Sequence, residues 1–429
     1  MQVDPALAVL LTPEGRALVD SLTPYDAESA LKRLAAVRKD PQWVRLPDVV
    51  AAAATQARLR TRAVGRFPGD PRWWTADGLE QATRPDVAGR HAQRFAASGI
   101  DAVADLGCGA GSDALALAER GIAVHAVDLD PEALWALEAT AADRGLSVST
   151  EHGDVTAEHW WWNAGHGSVA ERKGGPAPGC FVDPARRRDG RRLLDPQLWS
   201  PPWSWVCDLA SRVPATGAKV APGIDHTALP ADCEAEWVSV GGDLVECGVW
   251  WGPLRQGPGR RVATVDTHPD PPDSEELPPV TWAQMDDAAG VPAPEVGPVG
   301  AWLVEPDAAV IRAGLVSVLA EGIGGRLLDP HIAYVVTDTA PPPTPFGDVF
   351  EVVEVVPFAR KRLRAHLRSA GYGDVVVKKR GIAVVPELLR ADLRLAGDGP
   401  TATLVLTRTR SGPLALVVRR AEQGDQRDC

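Results

Sequence analysis

The stretch "DLGCGAGSDALALAERGIAVHAVDLD", Asp105 to Asp130, decides how the chain is read. With the "DAVA" before it, it predicts a short apolar strand, a glycine turn, a helix over "DALALAERG" and a second strand over "AVHAVDLD". Gly107, Gly109 and Gly111 fall in the turn, where glycine permits positive φ and lets the backbone approach a ligand closely. The helix that follows begins with free N–H groups. A turn of this kind also serves phosphates and dinucleotides. Two acids narrow the choice. Asp105 stands before the first glycine, and Asp128 ends the second strand. Carboxylates there accept hydrogen bonds from an ammonium and from ribose hydroxyls.

Working outward, the same alternation continues. "PEALWALEATAADRG" predicts a helix, "LSVSTEHGD" a third strand, "GCFVD" a fourth and "GAKVAPGID" a fifth. Strands alternating with helices predict an α/β fold with a mostly parallel sheet. "EAEWVSVG", "DLVECGVWWG" and "RRVATVDT" follow with little room for helices, so the sheet is expected to finish in an antiparallel hairpin. Residues 1–70 read as an N-terminal helical segment, with Asp26 placed to cap its second helix. Residues 71–267 form the central domain. Residues 268–347 begin as a Pro- and acid-rich connector and continue as a small α/β segment. Residues 348–422 read β-α-β-α-β-β.

The composition is that of a soluble globular protein, with 45% apolar and 24% charged residues over 429 positions. No apolar run is long enough for a membrane helix, and the start lacks a signal-peptide pattern. Six scattered cysteines without a C-x-x-C pair fit a reducing cytoplasm and predict no metal site. The net charge of −12 argues against indiscriminate nucleic-acid binding, yet charge is unevenly spread. Between Pro357 and Gly397, ten Lys/Arg oppose three acids. That stretch is either a polyanion-facing module or a solvated helix face.

A ligand with an amino-acid end and a nucleoside end satisfies both Asp105 and Asp128; S-adenosylmethionine (SAM) is such a ligand. Asp154, after the third strand, stands where an acid accepts from an adenine amino group. "VADLGCGAG", "VDLDP" and "HGDV" resemble the first three motifs of class I SAM-dependent methyltransferases, whose sheet is Rossmann-like. The resemblance implies that Asp105 holds the methionine amine, that Gly107–Gly111 pass under the cofactor, that Asp128 holds the ribose and that Asp154 faces the adenine. The whole chain is also similar to a bacterial group of such enzymes with a C-terminal THUMP-like domain, named for its likeness to a module of RNA-modifying enzymes. "GLEQATRPDVAGRHAQRF", "FVDPARR", "IRAGLV", "VKKRG" and "TLVLTRT" carry that likeness.

Strand four of such a sheet ends beside the cofactor, because ligands sit at the carboxyl ends of parallel strands. Asp183-Pro184 therefore lies where the methyl acceptor is held. Methyltransferases acting on exocyclic amines often carry Asp/Asn-Pro-Pro-aromatic there. This chain has Ala185 for the second proline and Arg186 for the aromatic, and arginine can stack on a base or pair with phosphate. Asp183 is read as a substrate-positioning acid, or else as a strand-end acid paired with Arg187 or Arg192. Arg186, Arg187 and Arg188 are candidate polyanion contacts, or a solvated charge run. Gln81 belongs to a segment that in this fold often folds over the cofactor. Lys378, Lys379 and Arg380 are candidate backbone contacts for RNA. Trp73, Trp74 and Trp160–Trp162 are read as packing residues rather than base-stacking ones, and Cys108 and Cys207 as packing residues rather than nucleophiles. The expected activity is methyl transfer from SAM, with RNA as substrate. The rivals are a small-molecule or protein methyltransferase and a SAM-binding protein without catalysis.

Overall fold

The computed structural model describes residues 4–70, 72–157, 179–188, 191–267, 281–395 and 397–421. Trp160–Trp162 lie outside the described residues. The chain divides into two compact units, Met1–Cys233 with Val249–Gln256, and Glu234–Gly248 with Gly257–Cys429.

The first unit opens with four helices, α1 (Pro5–Leu10), α2 (Pro13–Leu22), α3 (Ala27–Val37) and α4 (Pro47–Ala63). Side-chain caps start three of them: Asp4, Thr12 and, as the sequence predicts, Asp26, which accepts from the Ser29 N–H at 2.8 Å. Their apolar faces (Leu10, Val19, Leu22, Val50) bury against Trp73 and Trp135. Trp73 is clamped as well as buried, with Nε1 donating to Asp143 at 2.9 Å and the Arg60 guanidinium 4.6 Å over its ring.

Then come α5 (Ala76–Gln81), α6 (Pro85–Ala97), β1 (Ala102–Leu106), α7 (Ser112–Glu119), β2 (Ala123–Asp128), α8 (Pro131–Asp143), β3 (Val148–His152), β4 (Gly179–Val182), the two-residue strands β5 (Arg187–Arg188) and β6 (Arg191–Arg192), the helix Trp203–Arg212 and β7 (Thr216–Val220). β1 pairs in parallel with β2 and β4, β2 with β3, and β4 with β7. β1, β4 and β7 are buried on both faces, as a covered parallel sheet requires. Phe95, Val103, Leu115, Leu137, Phe181 and Trp250 form the core on one side.

In the second unit, β8 (Glu234–Val240) pairs in parallel with β10 (Arg261–Asp266), and β10 pairs antiparallel with β11 (Trp282–Asp286). The antiparallel finish is present, but its last strand comes from the stretch that composition marks as connector. β9 (Asp243–Trp250) carries the chain across the boundary, its last two residues belonging to the first unit. A second sheet takes in β12 (Trp302–Pro306), β13 (Arg326–Asp329), β14 (Ile332–Thr337), β15 (Gly347–Pro357), β16 (Asp374–Lys379), β17 (Thr401–Thr409) and β18 (Gly412–Arg420), in the order β13-β14-β12-β15-β18-β17-β16. The small segment before residue 348 is thus continuous with the C-terminal module, joined where β12 pairs with β15 from Trp302↔Glu351 to Pro306↔Gly347. Both faces of this sheet are filled. Leu363, Leu367, Leu389 and Leu393 of the helices Arg360–Ser369 and Pro386–Leu393 cover one, and Tyr334, Phe350 and Leu416 lie on the other.

Candidate active site

The turn after β1 has the conformation its glycines predict. Gly107, Gly109 and Gly111 take φ of 78°, 53° and 77°. A Cβ at Gly107 would stand 2.9 Å from the Asp183 carbonyl oxygen, so the tips of β1 and β4 meet there. A Cβ at Gly109 would meet nothing within 4 Å, which leaves the middle of the loop open to a ligand. Arg72, buried and bonded to Asp70, donates to Ser112 Oγ at 2.8 Å and anchors the start of α7.

Asp105, 1% exposed, has a buried Oδ2 without a hydrogen-bond partner among the described residues. Such an orphan asks for an explanation, and a cationic ligand supplies one. Burial pushes this carboxyl well above the ordinary range, and Asp113, Asp183 and Asp128 add to the effect while Lys219 opposes it. Asp128 uses one lone pair of each oxygen on the loop, Oδ2 accepting from Gly109 N–H and Oδ1 from Asp130 N–H, both at 2.8 Å. Burial raises its pKa against those two N–H groups. Each oxygen keeps a second lone pair for hydroxyl donors. Asp154 is exposed, and its Oδ1 accepts from the Thr156 N–H and hydroxyl in a local turn.

Residues 103–166 match a methyltransferase-domain model, residues 347–420 a THUMP domain-like model and residues 5–63 a domain of unknown function. An uncharacterized S-adenosylmethionine-dependent methyltransferase of Mycobacterium tuberculosis (strain H37Rv) is 32% identical over 370 residues, which is 84% of this chain and 93% of the relative. This chain belongs to the SAM-dependent methyltransferases. A solved structure from Porphyromonas gingivalis W83, assigned as a methyltransferase, has the same fold: TM-score 0.70 at 20% identity, over 98% of this chain and all of that one.

The cofactor of the methyltransferase is SAM, and the residues fit it. The orphaned Asp105 Oδ2 would take the ammonium, the open loop at Gly109 would lie along the ligand, and Asp128 would take the ribose hydroxyls. When bound, SAM supplies a sulfonium methyl open to in-line attack, which needs alignment more than acid–base power.

Asp183 follows β4, and the fold gives it a partner distant in sequence. That partner is Lys219, in β7, rather than Arg187 or Arg192. Lys219 is 5% exposed; its Nζ donates to Asp183 Oδ2 and, at 3.0 Å, to Thr83 Oγ1. The Thr83 hydroxyl donates onward to Asp113 Oδ2 at 2.8 Å, and Asp113 Oδ1 meets His91 Nδ1 at 2.7 Å. Burial raises the Asp183 pKa, with Lys219 and Arg186 pulling it back. At Asp113 burial also raises the value, but His91, Lys219 and Thr83 together bring the carboxyl below the ordinary range. The available signal was a lysine inside "GAKV", an otherwise apolar strand. A buried lysine needs an acid, and only the fold says which one.

Arg186 follows Ala185, with a buried Nη1 that has no hydrogen-bond partner among the described residues. Arg187 and Arg188 pair with Arg192 and Arg191 in a small antiparallel hairpin, so the arginine run is a built element. Arg187 lies 3.5 Å from Glu80, on the helix that Gln81 ends. Gln81 itself is exposed. That helix packs on the glycine loop, since a Cβ at Gly78 would stand 3.0 Å from Ala110 Cβ. Arg66 ties its end through Leu79 and Ala82 carbonyls at 3.0 and 2.6 Å. Cys108 packs against the core, and Cys207 is half-buried with its thiol pushed up to about 11 by burial. Burial raises both thiols, which disfavours the thiolate a nucleophile needs.

In the second unit, Lys378 Nζ pairs with Glu305 at 2.5 Å and with Asp348 at 3.6 Å, and sits 5.2 Å over the Phe350 ring. Arg380 pairs with Glu305 at 3.2 Å and lies 5.3 Å over Tyr334. Lys379, between them, points to the exposed side.

Proposed function

We propose that the methyltransferase acts on RNA in the cytoplasm, with Asp183 positioning the acceptor atom. The observation that carries the reading is the arginine hairpin directly after Asp183. Its strands carry four arginines, with Arg186 just before them, close in the chain to the acceptor position, where a phosphate backbone would be guided. The THUMP domain-like match at residues 347–420 supports it, through the likeness to a module of RNA-modifying enzymes. Free cysteines at Cys108, Cys180, Cys207, Cys233 and Cys247 fit a reducing compartment. No helix among the described residues is long and apolar enough to cross a membrane.

One observation favours a second reading, a small-molecule or protein acceptor: Lys378 and Arg380 are already ion-paired, sharing Glu305, with Asp348 also beside Lys378. Transfer of labelled methyl from SAM into total RNA, followed by mass mapping of the modified nucleoside, separates the two. Label in RNA that rises with protein and falls steeply with salt supports the first. Label in protein or in small molecules only replaces it with the second.

A further inference from the structure

Among the described residues Lys219 is the only lysine that is buried, and it lies in a strand buried at every position. A buried ammonium is retained only when its charge is paired and its protons are used. Lys219 spends its charge on Asp183 and a proton on Thr83. Thr83 is fixed in turn, because its one proton goes to Asp113, which leaves its lone pairs to face Lys219. Asp113 is held from its other side by His91. Four elements, α6, α7, β4 and β7, or the turns next to them, therefore converge on one carboxylate. The Asp183 side chain nevertheless keeps 25% of its surface exposed. Lys219 claims Oδ2, and no hydrogen bond among the described residues claims Oδ1.

We propose that Lys219 is a positioning residue for methyl transfer: held by Thr83 and Asp113, it fixes Asp183 as a carboxylate with Oδ1 turned to the acceptor. This rests on the reading of Asp183 as the acceptor-positioning acid. Oδ1 then accepts a hydrogen bond from the acceptor N–H and aims the nitrogen lone pair at the incoming methyl. As the new N–C bond forms and the C–S bond of the sulfonium breaks, its electron pair stays on sulfur. The nitrogen gives up its proton to Oδ1, which passes it to water. Lys219 itself exchanges no proton. It keeps the ionised form of Asp183 available beside other acids: Asp113 from α7 raises the cost of a buried negative charge there, Asp183 and Asp105 from β1 repel each other, and Arg186 shares the task of offsetting this.

The test uses full-length protein carrying 13C-carboxyl aspartate, with the Asp183 resonance identified by its loss in Asp183→Asn. In Lys219→Met the Asp183 carboxyl should titrate at higher pH than in the parent, and in Lys219→Arg it should return towards the parent. No substrate is needed for this readout. In parallel, methyl transfer from labelled SAM to total bacterial RNA is followed against pH. At saturating SAM, Lys219→Met should lose about tenfold or more at neutral pH and recover as pH rises. Lys219→Arg should regain most of the loss. If Lys219→Met does not fold, Thr83→Val removes the second anchor and should move the same resonance in the same direction. An Asp183 titration unmoved in both variants overturns the proposal. A parent enzyme that transfers nothing to RNA overturns the RNA reading instead, and leaves the carboxyl titration to decide the role of Lys219.

Discussion

The acids at the tips of β1, β2 and β4 and the cations at the end of β16 look alike as sequence, each a charged cluster ending a strand. In the folded chain they differ in what is left over. Among the described residues, Asp105 keeps an orphaned oxygen, Asp128 keeps spare lone pairs and Asp183 keeps one oxygen unclaimed. Lys378 and Arg380 keep little, because Glu305 reaches both, and Asp392 and Asp374 take Arg360 and Arg390 nearby. Binding capacity lies in polar atoms that the fold buries or aims but does not satisfy. A count of charges along the chain does not measure it.

The sharpest way to break this contrast is at Asp183. Asp183→Ala should lower methyl transfer by about 10²–10⁴-fold, the span of a positioned acid–base group, while SAM affinity measured by calorimetry stays near the parent. Equal transfer by the variant would reduce Asp183 to a strand-end acid that only balances Lys219. Next in size is Asp128→Ala. It should weaken SAM binding by roughly 1.5–3 kcal/mol, the range for hydrogen bonds to a charged group, with the fold intact by circular dichroism.

A smaller, pH-dependent effect tests the orphan at Asp105. Its folded pKa is raised by burial, so the ligand-free enzyme binds that proton more tightly than an ordinary carboxyl does. An ammonium ligand requires the ionised form. SAM binding should therefore release a fraction of a proton, and affinity should rise as pH climbs through the raised pKa. Calorimetry in two buffers of different ionisation enthalpy reads the proton directly. Asp105→Asn should abolish the release, and proton uptake on binding would contradict the assignment.

The places of these three acids in the fold were legible in the sequence because each is fixed by a local rule, a glycine turn after a strand or the end of a parallel strand; the ligand roles read onto them remain the proposal. Most of the longer strands were legible from their apolar pattern, among them Ala102–Leu106, Gly179–Val182 and Thr401–Thr409, while β5, β6, β11 and β13 were not. What escaped was tertiary. β11 hides in a proline- and acid-rich stretch, where partner strand β10 rather than local propensity makes the strand. The proline run before Gly347 reads as a boundary, yet β12 and β15 pair across it in one sheet. Lys219 and Thr83 lie 136 positions apart, so no spacing rule joins them.

The smallest expected effect separates neighbours in the cation cluster. Replacing Lys378, Lys379 and Arg380 together would mix two consequences, because two of the three hold Glu305. Single changes keep them apart. Lys378→Ala removes a half-buried ion pair from the second sheet and should lower stability by about 1 kcal/mol, with RNA affinity lost only as far as the module loosens. Lys379→Ala removes an exposed cation and should leave the melting temperature unchanged. If the C-terminal module grips a phosphate backbone, Lys379→Ala should weaken RNA binding similarly for all sequences and reduce the slope of log affinity against log salt by about 1. Gel-shift titrations at several salt concentrations, beside thermal melts, give both numbers for each variant. A Lys379→Ala protein that keeps the parental salt slope would mean that the module's one exposed cation in this run does not touch phosphate. The arginine hairpin after Asp183 would then remain as the basic element available to RNA at the acceptor position.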